Sequence, residues 1–409
     1  MRFKNSDKAV VEIARELNVD ALVEGSALRA GDRSRITVQL VDAATDRTLW
    51  AETFERDLRD VLTLQRQVAQ EIAEQIRVYV TPDERARLSS RGPVNPLAHV
   101  AYLQGRYLWN RFTTESIRES VERYEEAIRA DPTYALAYAG LADSYGALGT
   151  TSLLPPADAY PRARAAAEQG LALDETVAEL HASLGYVHFF YEWDWPRAER
   201  RFLRTVQLNP GYATGRRWYA QFLSAMGRHG EAIGEAERAL ELDPLSLIIH
   251  TTIGDVLFYA RQYDRAIAYY KRCLELDPAF EPAHADLARA LEHVGRYEDA
   301  VSEFQVAAPL VGGPTPALAT LLYRAGRREE AWATLEAALA RTGPPMVSPW
   351  GVASFYAVVG QPEQALDWLE RAHVQRDAAL VWIKVHPRID GLRGEPRFVD
   401  LLARMRLDA

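Results

Sequence analysis

The chain has 409 residues, of which 48% are hydrophobic and 26% are charged, a composition that excludes a disordered protein. The formal net charge of −9 argues against a nucleic-acid-binding surface, because phosphate binding needs a concentrated basic face. The single cysteine, Cys273, cannot form an internal disulfide, and its spacing predicts a small buried core residue rather than a nucleophile.

The first 80 residues predict a small α/β domain. Residues 7–17 place apolar side chains at helical spacing. Strand-like runs follow at residues 21–29, 34–42 and 47–54, and their short connections favour an antiparallel meander. A long amphipathic helix is predicted at about residues 58–80.

Four stretches of this domain carry a family resemblance: Glu12–Ser26, Arg29–Arg33, Ile36–Ala43 and Leu49–Glu52. They resemble the TolB-like (FlgO-like) N-terminal α/β domain of bacteria, over roughly residues 4–80. In that family a further strand and helix come first, so the resemblance implies a truncated chain or a late start codon. It also implies a place in a larger signalling protein, behind a winged-helix DNA-binding domain, a Ser/Thr kinase or a nucleotide cyclase.

A proline- and serine-containing linker is predicted at residues 81–96, and a repeat follows it. Asn209-Pro210, Asp243-Pro244 and Asp277-Pro278 stand 34 residues apart. Small or aromatic residues recur at the same offsets before each proline. This pattern resembles the tetratricopeptide repeat, a helix–turn–helix unit that stacks into a solenoid.

The predicted fold class is therefore mainly α, a solenoid of about eight helical hairpins preceded by the small α/β domain. The solenoid is assigned to residues 97–377. Residues 378–409 keep apolar side chains at helical spacing near their end, and they are predicted to form a capping helix region that shields the last repeat from water.

No motif in the sequence predicts an enzyme, a cofactor or a metal site. Gly-rich phosphate loops, HExxH, paired CxxC and Gly-x-Ser-x-Gly patterns are all absent from the sequence. His181 and His188 are seven residues apart, too far for the i, i+4 metal pair. His250 and His284 hold equivalent repeat positions, which favours packing or hydrogen bonding.

The predicted binding surface is the concave groove, lined by the first helix of each hairpin. Rings with interspersed arginines and carboxylates suit an extended or helical peptide. For Tyr186 and Phe189, packing against neighbouring helices is an equal alternative. The residues projected into the groove are Asp143, Tyr186, Phe189, Arg217, Gln221, Asp255, Phe258, Arg289 and Glu292.

One class of peptide partner is not expected. Relatives that bind chaperone tails resemble one another in a lysine and asparagines that clamp a terminal carboxylate. Here the corresponding first-helix positions hold other residues, so that clamp is missing. These positions are Ala139, Asp143, Ala182, Tyr186, Arg217, Gln221, Thr251 and Asp255.

The sequence thus predicts a non-enzymatic protein–protein interaction scaffold or sensor segment that binds a peptide or protein of unknown identity. The alternative is the regulatory C-terminal fragment of a larger transcription factor, kinase or cyclase. The lack of a signal peptide and the single thiol favour the cytoplasm. A membrane span upstream, as the resemblance implies for some relatives, would instead place this part outside.

Overall fold

The computed structural model of the chain describes residues 9–17, 19–30, 33–43, 45–57, 68, 71, 95–307 and 313–407. The helix predicted at residues 58–80 lies outside the described residues except for Val68 and Glu71, and so does the linker up to residue 94. The chain divides into two compact units. The first holds the residues up to Gln104 together with Glu125–Tyr134, and the second holds the rest.

The first unit begins with a helix and a three-stranded antiparallel sheet. Helix α1 (Val10–Leu17) precedes β1 (Ala21–Ala30), β2 (Arg33–Asp42) and β3 (Thr48–Asp57). The strands pair in the order β1-β2-β3, so the predicted meander is observed.

One face of the sheet is apolar, as the alternation along β2 predicts. Val38 and Leu40 point to the same side and are buried, and Phe54 on β3 packs against Val38. The register shifts at Leu40/Val41, where β2 pairs with β3 through an irregularity.

From residue 95 onward, the described α-helices follow one another as eight hairpins and a final single helix, as predicted from the period. Their bounds, in chain order, are α2 (Pro96–Arg111), α3 (Thr114–Ala130), α4 (Ala135–Thr150), α5 (Pro156–Leu173), α6 (Ala178–Val187), α7 (Trp195–Leu208), α8 (Ala213–Ala225), α9 (His229–Leu242), α10 (Leu247–Tyr259), α11 (Tyr263–Leu276), α12 (Glu281–His293), α13 (Tyr297–Ala307), α14 (Pro316–Arg324), α15 (Arg328–Ala340), α16 (Pro349–Val358), α17 (Pro362–Val374) and α18 (Pro396–Arg404).

The turn inside most of these hairpins is built on a left-handed residue. A residue of positive φ ends the first helix, because this backbone satisfies the last carbonyl groups and reverses the chain. Glycine suits the position, since it carries no Cβ penalty there. In the fourth to eighth hairpins these residues are Gly227, Arg261, Gly295, Gly326 and Gly360, with φ of 80°, 63°, 78°, 82° and 79°. In the first two hairpins they are Phe112 and Ser152, with φ of 52° and 58°.

The third hairpin contains an additional element before its left-handed turn residue. After α6 the chain continues as a short π-helix, His188–Glu192, and Trp193 then adopts a left-handed φ of 56°. Asp194 begins α7 as its N-cap, and its Oδ1 accepts a hydrogen bond from the Arg197 amide. Because the π-helix has a wider turn than an α-helix, the aromatic side chains of this stretch do not occupy the positions that the repeat spacing assigns to them.

The C-terminal residues form two 3-10 turns, Ala378–Trp382 and Pro387–Leu392, and then α18. Helix α18 contacts the last hairpin, where Arg397 pairs with Glu363 and Asp367 of α17. We call residues 378–392 the return segment, because they reach back to helices of the third, fifth and sixth hairpins rather than only covering the eighth.

Candidate functional site

A cavity of about 190 Å³ lies on the concave side of the second unit, and we call it the concave cavity. Its walls come from α4, α6 and the π-helix, α8, α10 and α12, the first helices of five consecutive hairpins. Trp109, Phe112 and Trp382 complete the lining. Six predicted groove residues contribute to the cavity: Asp143, Tyr186, Arg217, Gln221, Asp255 and Arg289.

Arg217 and Gln221 stand one turn apart on α8 and both line the cavity. Arg217 is only 6% exposed, and its guanidinium lies 5.6 Å from the centre of the Trp218 ring. Neither side chain has a hydrogen-bond or ion-pair partner within residues 95–307 and 313–407. Burial lowers the pKa of Arg217 from its usual value, but a guanidinium remains charged at neutral pH.

Asp143 supplies a buried carboxyl from α4. Its Oδ1 accepts a hydrogen bond from the Ser183 hydroxyl at 2.6 Å, while Oδ2 has no partner among the described residues. Burial raises the pKa of Asp143 to about 7, against the opposing effects of that hydrogen bond and of Arg106. Asp143 is therefore partly protonated at neutral pH.

A second group of charges is already paired. Asp255 accepts hydrogen bonds from Arg289 and from the Tyr270 hydroxyl, and Arg289 also pairs with Asp286 at 2.9 Å. The Arg289 guanidinium lies 4.6 Å from the Phe258 ring centre. Burial and the neighbouring Asp255 raise the pKa of Asp286 to about 8. Arg289 is thus held by its own neighbours, unlike Arg217.

Aromatic rings form much of the remaining wall. Tyr186 lies 4.7 Å from Trp218 and 4.3 Å from Phe190, measured between ring centroids. Tyr259 stacks on Trp382 at 4.4 Å, with the two ring planes inclined by 10°. Such walls contact a flat apolar group favourably.

Two parts of this array match family models. Residues 190–246 and 257–311 each match a model described as tetratricopeptide repeat. The chain contains tetratricopeptide repeats. The rest of the array follows the same hairpin order, from α2 to α17.

One curated protein is similar over part of the chain. A stretch of 139 residues, 34% of this chain, is 34% identical to a protein described as putative adenylate cyclase 3 of Rhizobium meliloti (strain 1021). The match spans 24% of that protein, about a quarter of its length.

Solved structures with partial similarity to the chain include those of PilF and PilW. The structure titled functional characterization of Pseudomonas aeruginosa PilF is 17% identical, with a TM-score of 0.36, and covers 59% of this chain and 94% of that one. The structure of PilW, titled a widely conserved type IV pilus biogenesis factor, is 18% identical, with a TM-score of 0.39, and covers 63% and 97%.

Three predicted groove residues do not line the concave cavity of the tetratricopeptide array. Phe189 and Phe258 are fully buried, where the groove prediction expects them to be open to a partner. Phe189 lies 6.2 Å from Trp382 and Phe258 lies 5.9 Å from His386, between ring centroids. The return segment covers both rings, so this part of the groove is occupied by the chain itself.

Glu292 is the third of these residues, and its partner also comes from the return segment. Arg388 donates two hydrogen bonds to its carboxylate, from Nε at 3.0 Å and from a terminal nitrogen. Burial raises the pKa of Glu292, but Arg388 outweighs burial and the net pKa lies below its usual value. Glu292 is therefore a structural anchor for the return segment.

The sequence reasoning missed Trp382, His386 and Arg388 because they lie beyond the last repeat. The repeat register assigns no position to them. A usable indication was present in the sequence, since Leu380, Val381, Ile383 and Val385 are apolar without helical spacing. All four are buried, which an end cap alone does not require.

The histidines of the repeats bind the preceding turn. His181, His250 and His284 each place Nε2 within 3.1 Å of the carbonyl oxygen six residues earlier. This repeated contact confirms the hydrogen-bonding prediction made for His250 and His284. In the described part of the chain, no cluster of three His, Cys, Asp or Glu side chains has the arrangement of a metal site.

Cys273 occupies the predicted core position. It is fully buried, and its thiol donates weakly to the Leu247 carbonyl at 3.5 Å. Burial raises the pKa of the Cys273 thiol to about 12, so the reactive thiolate form is scarce at neutral pH. Among the helices that the structure describes, none has the length and apolar character needed to cross a membrane.

Proposed function

We propose that the chain is a non-enzymatic interaction module that binds a protein or peptide at the concave cavity of its tetratricopeptide array. One observation carries the proposal: six groove residues predicted from the repeat register converge on one cavity. They come from five consecutive first helices. Repeat arrays of this kind present extended concave surfaces for partners.

The composition of the cavity wall supports binding rather than catalysis. As the structure describes it, the lining holds no serine, cysteine, histidine or lysine. Its two carboxyls already accept hydrogen bonds within the chain, Asp143 from Ser183, and Asp255 from Arg289 and Tyr270. To a partner it offers the Arg217 guanidinium, which forms no ion pair with the described residues, together with the Gln221 amide, the free oxygen of Asp143 and several rings. These groups bind and orient a partner, since arginine and aromatic residues supply most of the energy at protein interfaces.

The setting we propose is bacterial signalling. The resemblance of residues 4–80 to the TolB-like domain supports this setting, as does the similarity of one stretch to a protein described as a putative adenylate cyclase. The cytoplasm is the proposed compartment, with an extracytoplasmic position as the alternative if a membrane span lies upstream.

The test is affinity capture from the native host with three versions of the chain. We expect at least one protein to be retained by the wild type and lost with the double variant Arg217→Ala/Gln221→Ala. The control Arg238→Ala, on the exposed side of α9, should retain it. Circular dichroism and the thermal midpoint verify that both variants fold. An identical set of retained proteins in all three experiments would reject the concave cavity as the binding site.

A second candidate function is favoured by the stretch that is similar to the putative adenylate cyclase. In this proposal the chain is the regulatory C-terminal part of a larger enzyme or transcription factor. Sequencing the genomic DNA upstream of Met1 tests it. An open reading frame that continues into an effector domain supports the proposal, and an in-frame stop with a ribosome-binding site close to Met1 removes it.

A further inference from the structure

Arg217 is a buried cation that forms no ion pair with any residue that the structure describes, and this is unusual for a folded protein. Burying a charge is costly unless it is paired or hydrogen-bonded. The Trp218 ring lies against it, and the charges of Asp143 and Asp255 act on it from beyond ion-pair distance. The Gln221 amide beside it makes no hydrogen bond to the described residues. Both side chains line the same cavity, so their unused donors converge on one space.

The carboxylates of the same cavity do not neutralise Arg217 by contact. Asp255 is engaged by Arg289 and Tyr270, and no ion pair joins Arg217 to Asp143 within 4 Å. Asp143 is held by Ser183 instead. The position nearest the Arg217 guanidinium is therefore suited to an anion supplied from outside this part of the chain.

The volume of the cavity limits the size of the ligand that carries this anionic group. A cavity of about 150 Å³ with apolar walls is large enough for benzene. The concave cavity measures about 190 Å³, so it holds one ring and a small group beside it. Tyr186, Trp218 and Trp382 provide flat apolar walls for such a ring.

We propose that the concave cavity binds a small aromatic carboxylate. Arg217 and Gln221 donate hydrogen bonds to the carboxylate, and the surrounding rings contact the body of the ligand. Trp382 belongs to the return segment, so a bound acid touches both the repeats and the segment that crosses them. This inference does not rest on a protein partner, and either proposal can fail without the other.

The experiment is calorimetric titration of the full chain with three probes of nearly equal size. Phenylacetate carries the anion, 2-phenylacetamide is its neutral counterpart, and phenethylamine carries a positive charge. We expect phenylacetate to bind and the amide to bind at least about tenfold more weakly, because a charge-assisted hydrogen bond is lost. Phenethylamine should give no binding, since its charge repels Arg217.

Variants of the chain separate the site from unspecific binding. Arg217→Met should abolish phenylacetate binding, and Arg217→Lys should retain it within about tenfold because the positive charge remains. Gln221→Leu is the second variant, expected to weaken binding several-fold. Equal affinity for phenylacetate and the amide, unchanged affinity in the folded Arg217→Met chain, or no binding of phenylacetate at millimolar concentration would each overturn the proposal.

Discussion

At the scale of single residues, the concave side contains buried acids in two different situations. Glu292 meets a matching guanidinium from the return segment and stays ionised. Asp143 has one hydrogen bond to its carboxyl and one unpartnered oxygen, so burial dominates its titration. These two carboxyls should therefore respond in opposite ways to pH and to substitution.

Asp143 should make the protein less stable as the pH rises. Its pKa in the folded chain is about 7, against an ordinary value of 3.8, so the folded state keeps a proton that the unfolded state releases in this range. The free energy of unfolding therefore decreases as the pH rises from 3.8 to about 7. Asp143→Asn removes this term and retains the Ser183 contact. The free energy of unfolding of the Asp143→Asn variant, relative to that of the wild type, should therefore increase by about 2–3 kcal/mol from pH 5 to pH 7.

The measurement is the denaturation midpoint of both proteins across this pH range. Groups other than Asp143 titrate in both chains, so only the difference between the two curves is informative. A difference that stays constant from pH 5 to pH 7 would show that the carboxyl titrates normally in the folded protein.

Removing the partner of Glu292 should destabilise the protein strongly. Arg388→Met leaves a nearly inaccessible carboxylate with only Arg324, which lies 3.5 Å away and is more exposed. We expect a loss of about 3 kcal/mol, because a buried charge loses its main partner. Arg397→Met removes exposed pairs on α18 and should cost less than about 1 kcal/mol.

Chemical denaturation compares these two variants. The double variant Glu292→Leu/Arg388→Met should recover most of the loss, since it removes the charge together with its partner. If Arg388→Met and Arg397→Met lower the free energy of unfolding equally, the ion pair of Glu292 with the return segment does not contribute to stability as we claim.

At the scale of the elements, each hairpin depends on a small residue where its helices cross. Gly254 on α10 lies under the Tyr270 ring of α11, and a Cβ placed there would be 2.3 Å from the ring. Gly185 on α6 meets the Phe202 ring of α7 in the same way, at 2.8 Å. In these hairpins, the aromatic residue of the second helix therefore packs directly against the small residue of the first helix.

A pair of glycine substitutions tests this explanation. Gly254→Ala should destabilise the protein by about 2 kcal/mol, because Tyr270 is fully buried and cannot move aside. Gly234→Ala on α9 meets nothing within 4 Å and should stabilise it by about 0.5–1 kcal/mol through helix propensity. Thermal midpoints of the two variants give the comparison, and shifts of the same sign would contradict the explanation.

The hairpins were predictable because this contact recurs along the sequence with a fixed period. Proline after the second helix and a small residue at the crossing are local features, and they act in the same way in each repeat that carries them, such as those ending at Pro210, Pro244 and Pro278. The concave cavity was predictable for the same reason, since position in the repeat decides which side chains of a first helix face it. Arg217 and Asp255 follow this rule directly.

The burial of Phe189 and Phe258 was not predictable in this way. Phe258 lies on a first helix and Phe189 lies on the π-helix that continues one, but a segment from the other end of the chain covers them. Contacts at such sequence separation leave no periodic pattern. The π-helix at His188–Glu192 was likewise missed, because Trp193 in a left-handed conformation is specified by contacts beyond its own repeat.

At the scale of the molecule, the return segment joins hairpins that a simple repeat array keeps independent. In an open array each repeat contacts only its neighbours. Here Trp382 of the return segment stacks on Tyr259 of the fifth hairpin. Residues on either side of the segment add two contacts to the third hairpin, the first of which is the Trp195 indole donating to the Met405 carbonyl at 2.7 Å. Arg376 donates to the Tyr191 carbonyl at 3.1 Å. The second unit should therefore unfold more cooperatively than an open array.

Trp382→Ala should loosen several distant helices at once. The substitution leaves a void against Tyr259 and Phe189 and should cost about 3 kcal/mol. Amide hydrogen exchange should accelerate in the return segment, in the π-helix and in α10 together. Val399→Ala, at an exposed position of α18, is the control and should change little. Faster exchange confined to residues 378–392 would show that the segment is peripheral to the stability of the array.

The central claim is that partners bind at the concave cavity and not on the outer helices. A photo-reactive diazirine amino acid close to methionine in size, placed at Gln221 in the native host, tests it most directly. The same group at Glu241, exposed on the second helix of the same hairpin, is the matched control. We predict crosslinks to another protein from position 221 and none from position 241. Crosslinks from position 241 alone, or equally from both positions, would contradict the claim.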